Sequence, residues 1–227
     1  MCTKNGIIKK TDIMDYQNAP KGGKIAIKLD DDDELLRVKL TNGDTDLFIG
    51  THKGKMIRFN EKDVRELGRV SRGVRAIKLE DDDYVVGMSV YRDGGKMLVV
   101  SENGFGKKTE LEEYKTQSRG GKGCSTYKIS PETGNVSGIK VVSPEDDIII
   151  ITSEGVIIRL DSEDISTYSR VTKGVRLMRV EKEQEFEEEV DSLESKGTVE
   201  TSEPTETMES VEDTELSEAT EPTDENI

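Results

Sequence analysis

Short apolar runs separated by glycine-containing turns recur along the first 180 residues. Leu47–Gly50 and Met56–Phe59 flank the polar pair Lys53-Gly54. A polar residue followed by glycine between two such runs predicts a β-hairpin. Leu35–Leu40 and Tyr84–Val90 are rich in strand-forming residues and predict further strands between the hairpins. The pattern therefore predicts a β protein.

Two series of glycines return with a period of about 50 residues, so the chain contains an internal repeat. The first series is Gly6, Gly54, Gly104 and Gly155. The second series is Gly23, Gly73, Gly123 and Gly174, and each member opens a predicted short strand. These strands are Lys24–Leu29, Val74–Leu79, Cys124–Ile129 and Val175–Val180.

Four short strands in each repeat predict an all-β, propeller-like array of four-stranded blades, because such repeats bury their apolar faces against their neighbours. The first repeat is truncated. We expect single helical turns near Glu61–Leu67 and Glu110–Tyr114. The predicted blades are residues 1–46, 47–96, 97–146 and 147–180.

The charge divides the chain into two parts. The formal net charge is −15. Residues 181–227 contain 19 acidic and 2 basic residues, a net charge of −17, which leaves +2 for residues 1–180. The acidic segment predicts a disordered tail with, at most, a short helix over Glu181–Leu193. A solubilising role and a regulatory role, in which the tail competes with a nucleic acid for the body, both remain open.

Composition argues against several classes of protein. The longest aliphatic run, Ile148–Ile151, is too short to span a membrane, and no leader follows Met1. His52 is the only histidine, and Cys2 and Cys124 lack a metal-binding spacing. We expect a cytoplasmic protein with no metal site, no bound cofactor and no catalytic site of its own.

Basic residues recur at equivalent positions of the repeats. Four residues after the first glycine lie Lys10, Arg58, Lys108 and Arg159. Five residues after the second glycine lie Lys28, Lys78, Lys128 and Arg179. Four residues before the second glycine lie Arg69, Arg119 and Arg170, with Ala19 in the first repeat. Any one of these columns is explained if its basic side chains simply lie on the solvent-exposed face of a strand. The alternative is a continuous positive track that holds the phosphates of duplex DNA.

Further residues near these columns are candidates for the same track. They are Lys9, Arg72, Lys107, Lys122 and Lys173. The loop Gln117-Ser118-Arg119-Gly120-Gly121-Lys122-Gly123 allows close approach of a polyanion, because its glycines carry no side chain.

Acidic residues also recur, and we predict that they form turns or caps. The column is Asp15, Asp63, Glu113 and Asp164. The runs Asp30–Glu34 and Glu80–Asp83 do not fit a calcium loop and predict turns between strands.

At several motifs the sequence resembles the C-terminal DNA-wrapping domain of the DNA gyrase A subunit. They are Asn5–Thr11, Asn103–Thr109, Gly23–Leu29, Ser71–Arg75 and Gln117–Gly123. The resemblance covers residues 1–180 and implies a β-pinwheel, a six-bladed propeller relative whose blades exchange strands and whose positive perimeter bends DNA.

The resemblance also implies partners. They are double-stranded DNA, a second A subunit, and the gyrase B subunit, in an A2B2 holoenzyme associated with the nucleoid. ATP and Mg²⁺ would be bound elsewhere in that holoenzyme, which introduces negative supercoils.

Two features depart from the family. Only four repeats are present, and the box-like loop lies in the third repeat with Ser118 where the family's box has a basic residue. The corresponding domain of topoisomerase IV is one alternative. A β-propeller that binds protein partners is an alternative from another class.

Overall fold

The computed structural model describes residues 1–180. The predicted disorder of residues 181–227 and the predicted helix over Glu181–Leu193 lie outside them. The strands are β1 (Cys2–Thr3), β2 (Ile7–Ile8), β3 (Leu35–Arg37), β4 (Asp46–Thr51), β5 (Lys55–Asn60), β6 (Val74–Arg75), β7 (Val85–Val90), β8 (Lys96–Ser101), β9 (Phe105–Glu110), β10 (Cys124–Ser125), β11 (Val136–Val142), β12 (Asp147–Ile151), β13 (Ile157–Asp161) and β14 (Val175–Arg176).

One short 3-10 turn follows the hairpin of each repeat. These turns are Ile13–Tyr16, Glu61–Asp63, Leu111–Glu113 and Ser162–Asp164. The helical turns predicted near Glu61–Leu67 and Glu110–Tyr114 are therefore present in shortened form. Within residues 1–180 there is no helix long and apolar enough to cross a membrane.

Antiparallel sheets account for all the strands, which confirms the predicted all-β class. Three sheets have four strands, in the orders β3-β1-β2-β6, β10-β5-β4-β7 and β11-β8-β9-β14, and β12 pairs with β13 alone. The hairpin predicted around Gly54 is β4 and β5, in which Phe48 lies opposite Arg58.

Each four-stranded sheet takes three strands from one repeat and a short fourth strand from the next. We call β6, β10 and β14 the donated strands, and β2, β5 and β9 the acceptor strands with which they pair. A sheet therefore does not coincide with one contiguous segment of sequence. Strand exchange of this kind joins each repeat to its neighbour by backbone hydrogen bonds, as in a β-pinwheel.

Apolar clusters between successive repeats form the core. One contains Ile8, Ile49 and Val64, from the first and second repeats. The next joins the second and third repeats, where Phe48 meets Tyr114 edge-to-face with ring centroids 5.9 Å apart. The buried apolar contacts therefore join successive repeats at the same boundaries at which the donated strands pair.

The strand predicted over Lys24–Leu29 is wrong, because this segment has no regular secondary structure. Its equivalents are the donated strands, and no acceptor strand lies beside it among residues 1–180. The other three predicted strands of this series are shortened to two residues each, β6, β10 and β14. Their first two residues pair with the neighbouring hairpin, and the next residue donates its N–H to the glycine of the hairpin turn.

The predicted strand Leu35–Leu40 is limited to β3 because its partner, β1, is only two residues long. Val38 and Leu40 follow β3, have no strand of β1 beside them, and are 60 % and 76 % exposed. They line a cavity of about 650 Å³ together with Leu47 and Val64.

Candidate nucleic-acid interface

One basic column is fully available at the surface. It follows the second glycine of each repeat and consists of Lys28, Lys78, Lys128 and Arg179, all of which are exposed. Among residues 1–180, none of the four forms an ion pair with an acidic side chain. Because they occupy equivalent positions at the donated strands or, in the first repeat, at Lys24–Leu29, they form a series of unneutralised cations. We call this series the exposed column.

A second basic column lies within the fold. Lys10 Nζ donates to the carbonyl of Glu61 at 3.1 Å, and Lys108 Nζ donates to that of Ser162. Arg58 Nη1 donates to the carbonyls of Leu111 and Tyr114 at 3.0 and 3.2 Å. Each cation therefore holds the 3-10 turn of the following repeat.

Arg159 is the member of this column in the last described repeat, and it has no such turn to hold. Its Nη2 instead pairs with Asp147 at 2.5 Å, and its side chain is 69 % exposed. The Arg159–Asp147 contact lowers the pKa of Asp147 and raises the pKa of Arg159.

Lys9 and Lys107 are buried and also join repeats. Lys9 Nζ donates to the carbonyls of Ala26 and Arg69, and Lys107 Nζ donates to those of Ser169 and Arg170. Lys9 is 1 % exposed and Lys107 is 0 % exposed. Burial lowers the pKa of both ammonium groups, that of Lys107 to about 8. The ammonium groups of Lys9, Lys107 and Lys108 all donate to carbonyls inside the protein. These three lysines are therefore not part of the proposed interface.

The third basic column binds backward, to the preceding repeat. Arg69 Nη1 donates to the carbonyl of Ile25, Arg119 Nη1 to that of Arg75, and Arg170 Nη1 to that of Ser125. These carbonyls are at equivalent positions of Lys24–Leu29, β6 and β10. The arginines thus fix the segments that carry the exposed column.

The loops before the donated strands contain three further predicted cations. Arg72 makes a bidentate ion pair with Asp30, which lowers the pKa of that carboxyl, and Lys173 pairs with Glu132 at 2.7 Å. Lys122, at the equivalent position of the third repeat, is exposed and has no ion pair among residues 1–180. Of the three, Lys122 is best placed for an external anion.

The box-like loop Gln117–Gly123 clasps the second repeat. The Gly120 N–H donates to Ala76 O at 2.6 Å, and the Lys78 N–H donates to Gly121 O at 2.8 Å. Arg119 is tied down by Asp63 O as well as by Arg75 O. The loop therefore presents Lys122 and positions Lys78.

The acidic residues predicted to form turns do so. Asp15, Asp63, Glu113 and Asp164 each lie in a 3-10 turn. Asp33 Oδ1 accepts the N–H groups of Asn5 and Glu34. Asp83 Oδ1 accepts those of Lys53 and Tyr84 in the next repeat. No group of three or more His, Cys, Asp or Glu residues within 1–180 is arranged to bind a metal ion.

Two exposed arginines beside the exposed column were not among the residues predicted from sequence. Arg75 ends β6 and Arg176 ends β14, and Arg176 stacks over the Phe105 ring at 4.8 Å. The repeated Gly-Val-Arg at Gly73 and Gly174 was the available signal. Ile25 and Ser125 replace arginine in the other repeats, which hid the pattern.

The sequence model of the family described as DNA gyrase C-terminal domain, beta-propeller, matches residues 1–42, 45–92, 95–143 and 146–188. This chain belongs to that family. Each of the four matched segments contains one glycine of each series, so the gyrase family membership rests on most of the chain rather than on one motif.

The similar proteins of known name are A subunits of DNA gyrase, which is consistent with the family. The chain is 44 % identical over 183 residues to the A subunit of DNA gyrase from Ureaplasma parvum, covering 81 % of this chain and 22 % of the relative. It is 45 % identical over 180 residues to that of Staphylococcus epidermidis, covering 78 % and 20 %. The chain thus spans about a fifth of the length of these curated relatives.

Solved structures share the fold. A DNA gyrase A C-terminal domain matches with a TM-score of 0.73 and 27 % identity, over 79 % of this chain and 60 % of that one. A topoisomerase IV C-terminal domain matches with a TM-score of 0.75 and 27 % identity, over 78 % and 56 %. The family model and the higher sequence identities favour gyrase over topoisomerase IV.

Proposed function

We propose that this chain binds duplex DNA through its phosphates and forms part of the DNA-wrapping region of a gyrase A subunit. The observation that carries the proposal is the exposed column. Lys28, Lys78, Lys128 and Arg179 recur once per repeat without acidic partners among residues 1–180. Family membership gives the column its ligand, because the relatives are named as A subunits of DNA gyrase.

The chemistry of the column favours backbone contacts over base recognition. Lysine and arginine on a rigid β scaffold neutralise phosphates and position a duplex, but they carry no sequence information by themselves. Aromatic residues make up 4 % of the chain and Trp is absent, so stacking platforms for single strands are scarce. Arg75, Arg176 and Lys122 would extend the column on either side.

The larger assembly belongs to the same proposal. The relatives are about five times longer than the matched segment. We infer that other chains or segments supply strand passage, ATP and Mg²⁺. The inferred partners in an A2B2 holoenzyme at the nucleoid are a second A subunit plus the gyrase B subunit. No catalytic step is assigned to residues 1–180.

A pair of matched double variants tests the binding surface. Lys78→Ala with Lys128→Ala removes two members of the exposed column. Lys39→Ala with Lys140→Ala removes two exposed lysines, one just after β3 and one in β11, on the sheet edges opposite the donated strands. Four adjacent strands separate those edges by about 14 Å.

Duplex affinity is measured by fluorescence anisotropy over a salt series. Removing the two members of the exposed column should reduce the slope of log K against log salt by roughly 0.9 per lost phosphate contact. The control pair should leave the slope unchanged. Equal effects of the two pairs would contradict the proposed surface.

Wrapping is tested separately from binding. A nicked plasmid is sealed with ligase in the presence of the chain, and the topoisomers are resolved after the protein is removed. We expect a shift in linking number that grows with protein concentration and is smaller with the Lys78 and Lys128 variant. Tight binding without a shift would retain DNA binding and reject wrapping by this chain.

A further inference from the structure

Phe105 is buried, yet it lies outside the apolar core. Its side chain is 5 % exposed, but it belongs to none of the apolar clusters of residues 1–180. It is the first residue of β9, the acceptor strand of the third repeat. Side chains other than those of the core therefore cover its ring.

Two basic side chains of the fourth repeat lie over the Phe105 ring. The Cζ atom of Arg176 is 4.8 Å from the ring centroid, and the Nζ atom of Lys173 is 5.8 Å from it. Arg176 is also directly opposite Phe105 where β14 pairs with β9. A cation at these distances is attracted to the face of the ring, while the aliphatic part of its side chain covers apolar surface. The ring therefore holds both side chains against the sheet.

The two basic side chains differ in their remaining partners. Lys173 Nζ pairs with Glu132 Oε2 at 2.7 Å, and this contact lowers the pKa of the Glu132 carboxyl. The charge of Arg176 contributes less to the same lowering. Arg176 is exposed and forms no ion pair within residues 1–180. Because a ring contacts the flat face of a guanidinium, the N–H donors in its plane stay available to a phosphate.

The exposed column lacks this support from an aromatic ring. Among the described residues, no cation–π contact involves Lys28, Lys78, Lys128 or Arg179. A long side chain that is free in the unbound protein loses rotamer freedom when it binds a phosphate, and this loss opposes binding. Arg176 has already lost part of that freedom, because the ring restricts it before DNA binds.

The junctions, at which a donated strand pairs with its acceptor strand, offer a comparison within the same molecule. In the junction of β6 with β2, Arg75 is exposed like Arg176 but lies opposite Ile7. Ile7 is 7 % exposed, so an aliphatic side chain is accommodated where the third repeat has phenylalanine. In the junction of β10 with β5, Ser125 lies opposite Lys55. An aromatic ring at this position is therefore not required to form a junction.

We propose that Phe105 is a positioning residue, which holds the guanidinium of Arg176 ready to bind a phosphate of duplex DNA. This role rests on the proposed function, because Arg176 extends the exposed column. Phe105 does not contact the DNA and acts through Arg176. Its ring orders the guanidinium in the free protein, so the phosphate gains charge-assisted hydrogen bonds with a smaller loss of entropy.

Phe105→Ile tests this role by copying the Ile7–Arg75 pair, which the same fold already contains. Duplex affinity, measured by fluorescence anisotropy, should fall about threefold, as expected when one long side chain is no longer ordered in advance. The slope of log K against log salt should stay the same, because the charge of Arg176 remains. Arg176→Ala should instead lower that slope by about 0.9.

Two further variants separate positioning from a purely structural role. In chains that already carry Arg176→Ala, Phe105→Ile should have no further effect on affinity. An equal loss in both backgrounds would show that Phe105 acts through the fold, and would overturn the proposal. Phe105→Tyr keeps a ring and should restore the affinity of the wild type, whereas binding as weak as that of Phe105→Ile would contradict the proposal. Urea denaturation confirms that each variant is folded.

The reverse substitution tests for a gain in affinity. Ile7→Phe places a ring opposite Arg75 and should tighten duplex binding about threefold. A folded Ile7→Phe chain that binds no more tightly than the wild type counts against positioning by the ring.

Nuclear magnetic resonance without DNA tests the contact itself. The ring current of Phe105 should shift the Nε–H resonance of Arg176, and Phe105→Ile should abolish that shift. A resonance that does not move contradicts the contact. A wild-type chain that shows the shift but does not bind duplex DNA contradicts the proposed function. A wild-type chain that binds duplex DNA with the affinity of Phe105→Ile contradicts only the role of Phe105.

Discussion

Arg58 and Arg159 have the same position in their repeats, but the protein uses them differently. Arg58 is 15 % exposed, pairs with Asp46 at 2.8 Å and holds two carbonyls of the next repeat. Arg159 is 69 % exposed and, among the described residues, forms an ion pair with Asp147 alone. Arg58→Ala should lower the free energy of unfolding by about 2–4 kcal/mol, because Tyr114 O loses its side-chain donor and the half-buried Asp46 loses its charged partner. Arg159→Ala should leave it nearly unchanged. Urea denaturation measures both, and equal losses would contradict the clamp.

Lys107 makes stability depend on pH. Its pKa falls from 10.5 to about 8 on burial, so between these values the unfolded chain binds a proton that the folded chain does not. Stability therefore rises with pH across that window. The difference in the free energy of unfolding, wild type minus Lys107→Met, should therefore increase between pH 7.5 and about 9.5. Denaturant titrations at both pH values measure this gain, and a constant difference between the two proteins would exclude the buried cation as its source.

At the scale of the element, the donated strand depends on a glycine that allows backbone contact. Gly123→Ala places a Cβ 2.5 Å from Met56 O at φ +69°, whereas Gly23→Ala meets nothing within 4 Å at φ +78°. The first substitution should cost about 3 kcal/mol or more, and the second about 1–2 kcal/mol from backbone strain alone. Thermal and urea unfolding of the two variants measure the difference. Similar costs would mean that the close approach at Gly123 does not stabilise the junction.

At the scale of the whole molecule, residues 1–180 carry a net charge of +2 and residues 181–227 a net charge of −17. A variant that ends at residue 190 loses 13 acidic and 1 basic residues, which changes the net charge from −15 to −3. If the acidic segment competes for the exposed column, this variant should bind duplex DNA more tightly at low salt, and the advantage should vanish as salt screens both interactions. Anisotropy titrations with the full and shortened chains measure the effect. Equal affinities at low salt would leave the segment a solubilising role.

The period of the glycines and the alternation of apolar residues were sufficient to predict the all-β class, the hairpin around Gly54 and the turns near Glu61 and Leu111. These features depend on local backbone preferences that a sequence displays directly. The columns of basic residues were equally visible. The period of the sequence shows which residues are equivalent. It does not show whether a basic side chain faces solvent or binds a carbonyl inside the protein.

Only the tertiary structure decided where each cation points and where each strand pairs. The Lys107 ammonium group binds carbonyls some 60 residues away along the chain. The loop ending at Gly123 binds the backbone N–H of Lys78, whose ammonium group has no ion-pair partner within residues 1–180. Lys24–Leu29 has the sequence of a donated strand but no regular structure, since a strand requires a partner as well as a propensity. The sequence alone thus determined the repeat, the all-β class and the charge, while the contacts between repeats decided which predicted strands form and separated the cations that stabilise the fold from those left exposed at the surface.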